Sequence, residues 1–198
     1  VASILPLCRV GQREVSQLGL LGSTAILASG LFLAIPALVG PPTLFSDGLW
    51  YLDPFGALMV LVIALVQWTA TLSSISYLQH EATHGIIGLT HVRWYYALLY
   101  LFVLTMFATV LANNLGFMWV ALEGTTLSTT LLVAFYARDG SLEAAWKYLL
   151  LCSVGISLGL LGVLLVFYAA SRVDATELIS GFAYLKGIAH LLPKEVMF

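Results

Sequence analysis

Residues 94–137 read WYYALLYLFVLTMFATVLANNLGFMWVALEGTTLSTTLLVAFYA, forty-four positions with one charged side chain, Glu123. As a single helix this run would be about 66 Å long, twice the ~30 Å hydrocarbon core of a bilayer. It must hold two helices. A break at Gly124 would leave about 13 residues for the second, too few to span. A break at Asn113-Asn114 gives helices over 94–112 and 115–137, about 28 and 34 Å long. Asparagine tolerates turn conformations and caps a following helix. This reading makes the chain an all-α, polytopic transmembrane helix bundle.

The composition agrees. Of 198 residues, 61% are hydrophobic and 9% are charged, against about 25% charged in an ordinary soluble domain. So much apolar surface needs lipid as its solvent, and the bilayer is the first expected partner. Outward from the deciding run, charge-free stretches mark further spans, because a charge at the bilayer centre costs about 2.5–3.5 kcal/mol on insertion scales. One covers 18–39 and ends at Gly40-Pro41-Pro42, where proline lacks the amide proton. A second covers 55–78, opened by Asp53-Pro54. The fifth covers 142–170, after Arg138-Asp139-Gly140-Ser141, with Ser141 as its expected N-cap and Glu143 in its first turn. The expected count is about five spans in a single membrane domain over 1–198, with partial apolar segments at both ends. Val1–Leu7 has no small-residue cleavage site and reads as the tail of a helix, not a signal peptide. The ending Val196-Met197-Phe198 reads as the opening of another apolar run, so the chain is expected to be part of a longer one.

Arg9, Arg13, Arg93 and Arg138 fall at one face of this arrangement. The opposite loops at 40–54 and 113–114 carry no Lys or Arg, and Arg172, Lys186 and Lys194 lie in the last segment. The positive-inside rule puts the first face in the cytoplasm, giving a multi-pass protein of the inner (cytoplasmic) membrane. A net charge of -2 with no basic patch argues against a nucleic-acid partner. Cys8 and Cys152 form no CxxC and read as small buried thiols, so no cofactor or metal site is expected in this chain.

Glu123 is the first candidate for chemistry. Its helical face includes Gly116, Trp119, Thr126, Leu127 and Thr130, so Thr126 and Thr130 are the expected polar lining beside it. A carboxyl within the membrane is a functional hypothesis by default, as proton carrier, ion ligand or counter-ion. Burial favours its neutral form and a neighbouring cation its charged form. The alternative is a structural carboxylate paired inside the bundle. Lys147 is the second candidate, about five residues into its span, where snorkelling to the interface is an equal reading. The two are expected to sit about 13 Å apart along the bundle axis, too far for an ion pair, so Glu123 needs a partner from elsewhere. His80-Glu81-Ala82-Thr83-His84 fits the H-E-x-x-H zinc pattern, with His91 beyond. It lies at a membrane edge without a substrate cleft, so interfacial loop residues are the preferred reading. Gly155-x-x-x-Gly159, with Ser153, Ser157 and Gly162, is a small-residue face suited to close helix packing. Trp50 and Trp94 fall where interfacial aromatics belong.

Residues 113–162, NNLGFMWVALEGTTLSTTLLVAFYARDGSLEAAWKYLLLCSVGISLGLLG, resemble the large antiporter-like membrane subunit of hydrogenase-4 and formate hydrogenlyase. Those subunits are similar to the proton-pumping subunits of respiratory NADH:quinone oxidoreductase and to Mrp-type antiporters. SYLQHEATHG (76–85) and YLDPFGALM (51–59) fit the same family. The resemblance implies that Glu123 matches the family's fifth-helix glutamate and Lys147 a sixth-helix lysine. It further implies that the glutamate works with a lysine on a broken seventh helix, approached by residues 186–198, and with later helices that this sequence does not contain.

The expected function is a proton-translocating membrane subunit of a redox complex, non-catalytic itself, with Glu123 as carrier and Lys147 assisting. Other membrane and redox subunits are its implied partners. The alternatives are a cation/proton antiporter or inorganic-carbon transport module without a redox partner, and a structural scaffold that tolerates neutral replacement of Glu123 and Lys147. A zinc protease built on residues 80–84 stands last.

Overall fold

The structure, a computed structural model, describes residues 5–46, 48–85 and 87–173. Five helices carry the described residues: α1 Leu5–Val39, α2 Pro54–Thr83, α3 Leu89–Leu111, α4 Leu115–Val133 and α5 Asp139–Val173. All five are long and apolar enough to cross a membrane. A short antiparallel hairpin, β1 Thr43–Phe45 and β2 Trp50–Leu52, joins α1 to α2, and a 3-10 turn, Ala134–Tyr136, follows α4.

The caps explain the boundaries. Asp53 precedes α2 and its carboxylate accepts from the Gly56 amide at 2.6 Å, while Pro54 opens the helix where no amide proton is needed. Asn114 precedes α4 and its side-chain oxygen accepts from the Gly116 and Phe117 amides at 2.8 and 3.1 Å. The long apolar run therefore parts at Asn113-Asn114, as its sequence demands. Val39 ends α1 before Gly40-Pro41-Pro42.

Several boundaries differ from the sequence reading, among them the ends of α2, at Thr83 and not 78, and of α4, at Val133 and not 137. Helix α1 starts by Leu5, not near residue 18, because nothing between Leu7 and Leu18 breaks a helix: the charges there mark the edge of the hydrocarbon, not the end of the hydrogen-bond ladder. Leu5–Leu7 accordingly belong to α1 and not to a separate segment. Helix α3 begins at Leu89, a turn before Trp94, for the same reason. Helix α5 starts at Asp139, so Ser141 is not its N-cap. Ser141 instead closes the first turn, accepting from the Arg138 amide and donating to the Arg138 carbonyl at 3.1 and 2.9 Å. The side chains of Cys8, Arg9, Arg13 and Arg172, and the segments expected over 1–4 and 174–198, including Lys186 and Lys194, lie outside the described residues.

The helices pack α1 on α2, α3 on α2 and α1, α4 on α3, and α5 on α4. Because they alternate in direction, the hairpin and the α3–α4 turn share one end of the bundle. Asn113 ties them together: its amide donates to the Leu49 carbonyl at 3.0 Å and its side chain to the Gly48 carbonyl at 2.6 Å. Trp50 adds an edge-to-face contact with Phe117, the ring centroids 5.5 Å apart. The hairpin pairing satisfies backbone polar groups at the membrane edge. The other end collects the C-terminus of α2, the start of α3 and the α4–α5 turn, with Arg93 and Arg138.

Helix α5 stands at the rim of the bundle, with Leu150, Leu151, Val154 and Leu158 exposed. A methyl group added at Gly155, Gly159 or Gly162 would meet open space, so this small-residue face makes no close packing among the described residues. The close approaches occur at other glycines: Gly19 under the Tyr96 ring, Gly22 under Tyr100, Gly30 against Ala64 and Gly124 against Thr105.

Candidate functional site

Glu123 lies nine residues past the Asn114 cap, about 13 Å into α4. It faces α5 along a seam whose contacts run in antiparallel order. The Trp119 indole donates to the Ile156 carbonyl at 2.8 Å, Ser153 Oγ stands 3.5 Å from Glu123 Oε1, and the Thr129 and Tyr148 hydroxyls are 3.1 Å apart. The half-buried carboxylate thus has one hydroxyl donor at the outer limit of hydrogen bonding, where a carboxylate has room for about four. That leaves it capacity to take a proton, a water or a cation.

The chain permits this geometry because α4 has a glycine beside the glutamate. A Cβ at Gly124 would come within 2.8 Å of Thr105 Cγ2, so glycine is what lets α3 and α4 approach at the level of Glu123. The threonine hydroxyls expected to line the site turn to their own helix: Thr126 donates to the Leu122 carbonyl at 3.4 Å and Thr130 to the Thr126 carbonyl at 2.7 Å. Thr126 is buried and Thr130 partly buried, and each keeps lone pairs for a further donor.

Lys147 is not beside Glu123. Its ammonium pairs with Glu143, one turn back on α5, and both side chains are largely exposed. Ser153, the residue opposite Glu123, is about 9 Å further along the helix. The structure therefore keeps the two candidate residues apart, as their helical positions require. It brings to Glu123 a residue that sequence reading placed only in the small-residue face. Ser153 could have been suspected from its place on α5, but nothing local says which helix it meets.

Among the described residues the zinc pattern at 80–84 gathers no third ligand around a metal position. The His80 and His84 rings lie against each other, centroids 4.3 Å apart, and His84 Nδ1 is 2.8 Å from the His80 carbonyl. Glu81 turns instead to α4's end, accepting from the Tyr136 hydroxyl at 2.6 Å. Among the described residues no three His, Cys, Asp or Glu side chains converge on a metal position. His84 is the C-cap of α2, past the last helical turn that an H-E-x-x-H site needs.

Residues 112–197 match the family profile described as "NADH:quinone oxidoreductase/Mrp antiporter, TM". The hydrogenase-4 component F homolog of Methylacidiphilum infernorum is 32% identical over 188 residues, which is 94% of this chain and 38% of that protein. The NADH-quinone oxidoreductase subunit N of Dehalococcoides mccartyi is 27% identical over 157 residues, 79% of this chain and 30% of that protein. The chain thus spans less than two-fifths of the length of these relatives. The fold recurs in a chain of the membrane-bound sulfane sulfur reductase, an archaeal respiratory membrane complex. There the TM-score is 0.71 at 20% identity, over 98% of this chain and 41% of that one. With five helices long and apolar enough to cross a membrane among its described residues, the chain is similar to the antiporter-like multi-pass membrane subunits that these relatives represent.

Proposed function

We propose that this chain is a proton-translocating membrane segment of a redox-linked complex, hydrogenase-4-like or NADH:quinone oxidoreductase-like, with Glu123 as its intramembrane proton carrier. The observation that carries the reading is the placement of Glu123. It is the one carboxylate deep within a span among the described residues, half-buried, with a single long hydroxyl contact. A group so lightly held responds strongly to a change in nearby charge, since low dielectric magnifies each charge and a shift of protonation equilibrium follows. Redox chemistry in partner subunits supplies that change, and Glu123 takes up or releases a proton in answer. Lys147, near the end of α5 that bears Arg138, serves as an interfacial cation that hands protons toward the seam. The complex sits in the inner membrane with the Arg93 and Arg138 end in the cytoplasm, in contact with lipid and with other membrane and redox subunits. No chemistry on a substrate is assigned to this chain, which is a single membrane domain of a longer antiporter-like protein.

The test is Glu123→Gln in the intact complex. Electron transfer should continue while protons moved per electron fall at least several-fold; unchanged translocation would exclude Glu123 as the carrier and favour a scaffold.

A further inference from the structure

Among the described residues Glu81 joins no cluster of three metal ligands, and its carboxylate is engaged elsewhere. Its carboxylate accepts from the Tyr136 hydroxyl at 2.6 Å, and the Tyr77 hydroxyl is hydrogen-bonded to Tyr136 as well. Tyr136 has one proton to give and gives it to Glu81, so Tyr77 donates to the Tyr136 oxygen. The three groups form a chain from α2 to the turn after α4, joining positions 55 residues apart. An ionised carboxylate makes this a charge-assisted bond.

The segment it holds is a hinge by construction. Helix α4 tightens into a 3-10 turn at Ala134–Tyr136, and Ala137 then takes a left-handed conformation, φ 48°, that a residue with a Cβ rarely adopts. The Arg138 guanidinium lies 5.5 Å over the Tyr136 ring, and the Arg138 carbonyl accepts from Leu142 and Ser141 in the first turn of α5. Tyr136 therefore anchors the start of α5 as well as the end of α4.

We propose that Glu81 and Tyr136 are positioning residues, whose hydrogen bond fixes the α4–α5 turn so that Ser153 on α5 stays within reach of Glu123 on α4. The proposal rests on the reading of Glu123 as proton carrier. The lever is long: Glu123 is 13 residues from Tyr136, about 20 Å along the helix. A swing of about 3° at the turn moves α5 about 1 Å at the level of Glu123 on that lever. The Ser153–Glu123 separation of 3.5 Å is already at the limit of a hydrogen bond, so such a swing decides whether the contact exists.

The experiment uses the assembled membrane complex, read in two ways: amide hydrogen exchange over residues 134–142, and protons moved per electron. Tyr136→Phe should speed exchange at the hinge about tenfold or more, the loss of one hydrogen bond to a charged group, and lower the proton-to-electron ratio without slowing electron transfer. Glu81→Gln keeps an acceptor oxygen but gives up the charge assistance, so both readouts should fall between wild type and Glu81→Ala, and Glu81→Ala should reproduce Tyr136→Phe. If Tyr136→Phe does not assemble, the Glu81→Gln and Glu81→Ala pair carries the test. Wild-type exchange in Tyr136→Phe or Glu81→Ala overturns the proposal, as does a Glu81→Gln complex that loses coupling as fully as Glu81→Ala, because charge and not position would then be the requirement. Full translocation in Glu123→Gln would defeat the carrier reading instead, and the exchange result would still report whether the latch holds the hinge.

Discussion

At the level of single residues, Glu123 depends on a neighbour with no side chain. Thr105 Cγ2 occupies the place where a Cβ at Gly124 would go, and the Thr105 hydroxyl is committed to the Phe102 carbonyl at 2.8 Å, which opposes a change of rotamer. Gly124→Ala should therefore destabilise the protein by about 1–3 kcal/mol through overpacking, seen as a lower thermal midpoint in detergent or nanodiscs. Thr105→Ser, which removes the offending methyl, should recover most of that loss; a double variant no better than Gly124→Ala would contradict the contact. Lys147 behaves in the opposite way. Its pair with Glu143 is exposed on one helix, so Lys147→Ala should shift stability by no more than about 0.5 kcal/mol. A drop in translocation in that variant would accordingly report proton handling and not unfolding.

At the level of helices and turns, the stabilising devices are the caps. Asn114 satisfies two orphan amides of α4, and Asn114→Ala should cost about 1 kcal/mol, measurable as faster amide exchange at Gly116 and Phe117. The sequence announced this cap, and Asp53-Pro54 too, because capping residues beside apolar runs are local signals. It hid the start of α5, where Ser141 bridges back to Arg138 from inside the first turn instead of preceding it. The hairpin was equally hidden: strands of three residues beside Gly40-Pro41-Pro42 read as loop, and their order comes from Asn113, which bonds to Gly48 from 65 positions away. Glu81 was visible only as part of a zinc-like pattern, since the tyrosine that claims it belongs to a different helix end. Helical periodicity gives the face of a residue but never the partner it meets, and Ser153 opposite Glu123 was illegible for that reason.

For the whole molecule, class and span number followed from where charges are absent, a property of the entire chain that no single contact can overrule. The alternation of five helices then makes a topological prediction. In a background with Cys8 and Cys152 replaced by alanine, Leu44→Cys on the hairpin and Gly140→Cys before the α5 first turn closes should react with a membrane-impermeant thiol reagent from opposite sides, position 140 from the cytoplasm. Labelling of both from one side would contradict the bundle. Whether Glu123 carries protons within that bundle is read by infrared difference spectroscopy of the working complex. A protonated-carboxyl band should appear or vanish during turnover and be absent from the Glu123→Gln complex; a spectrum with no carboxyl change, or one whose band survives that substitution, would rule out Glu123 as the carrier.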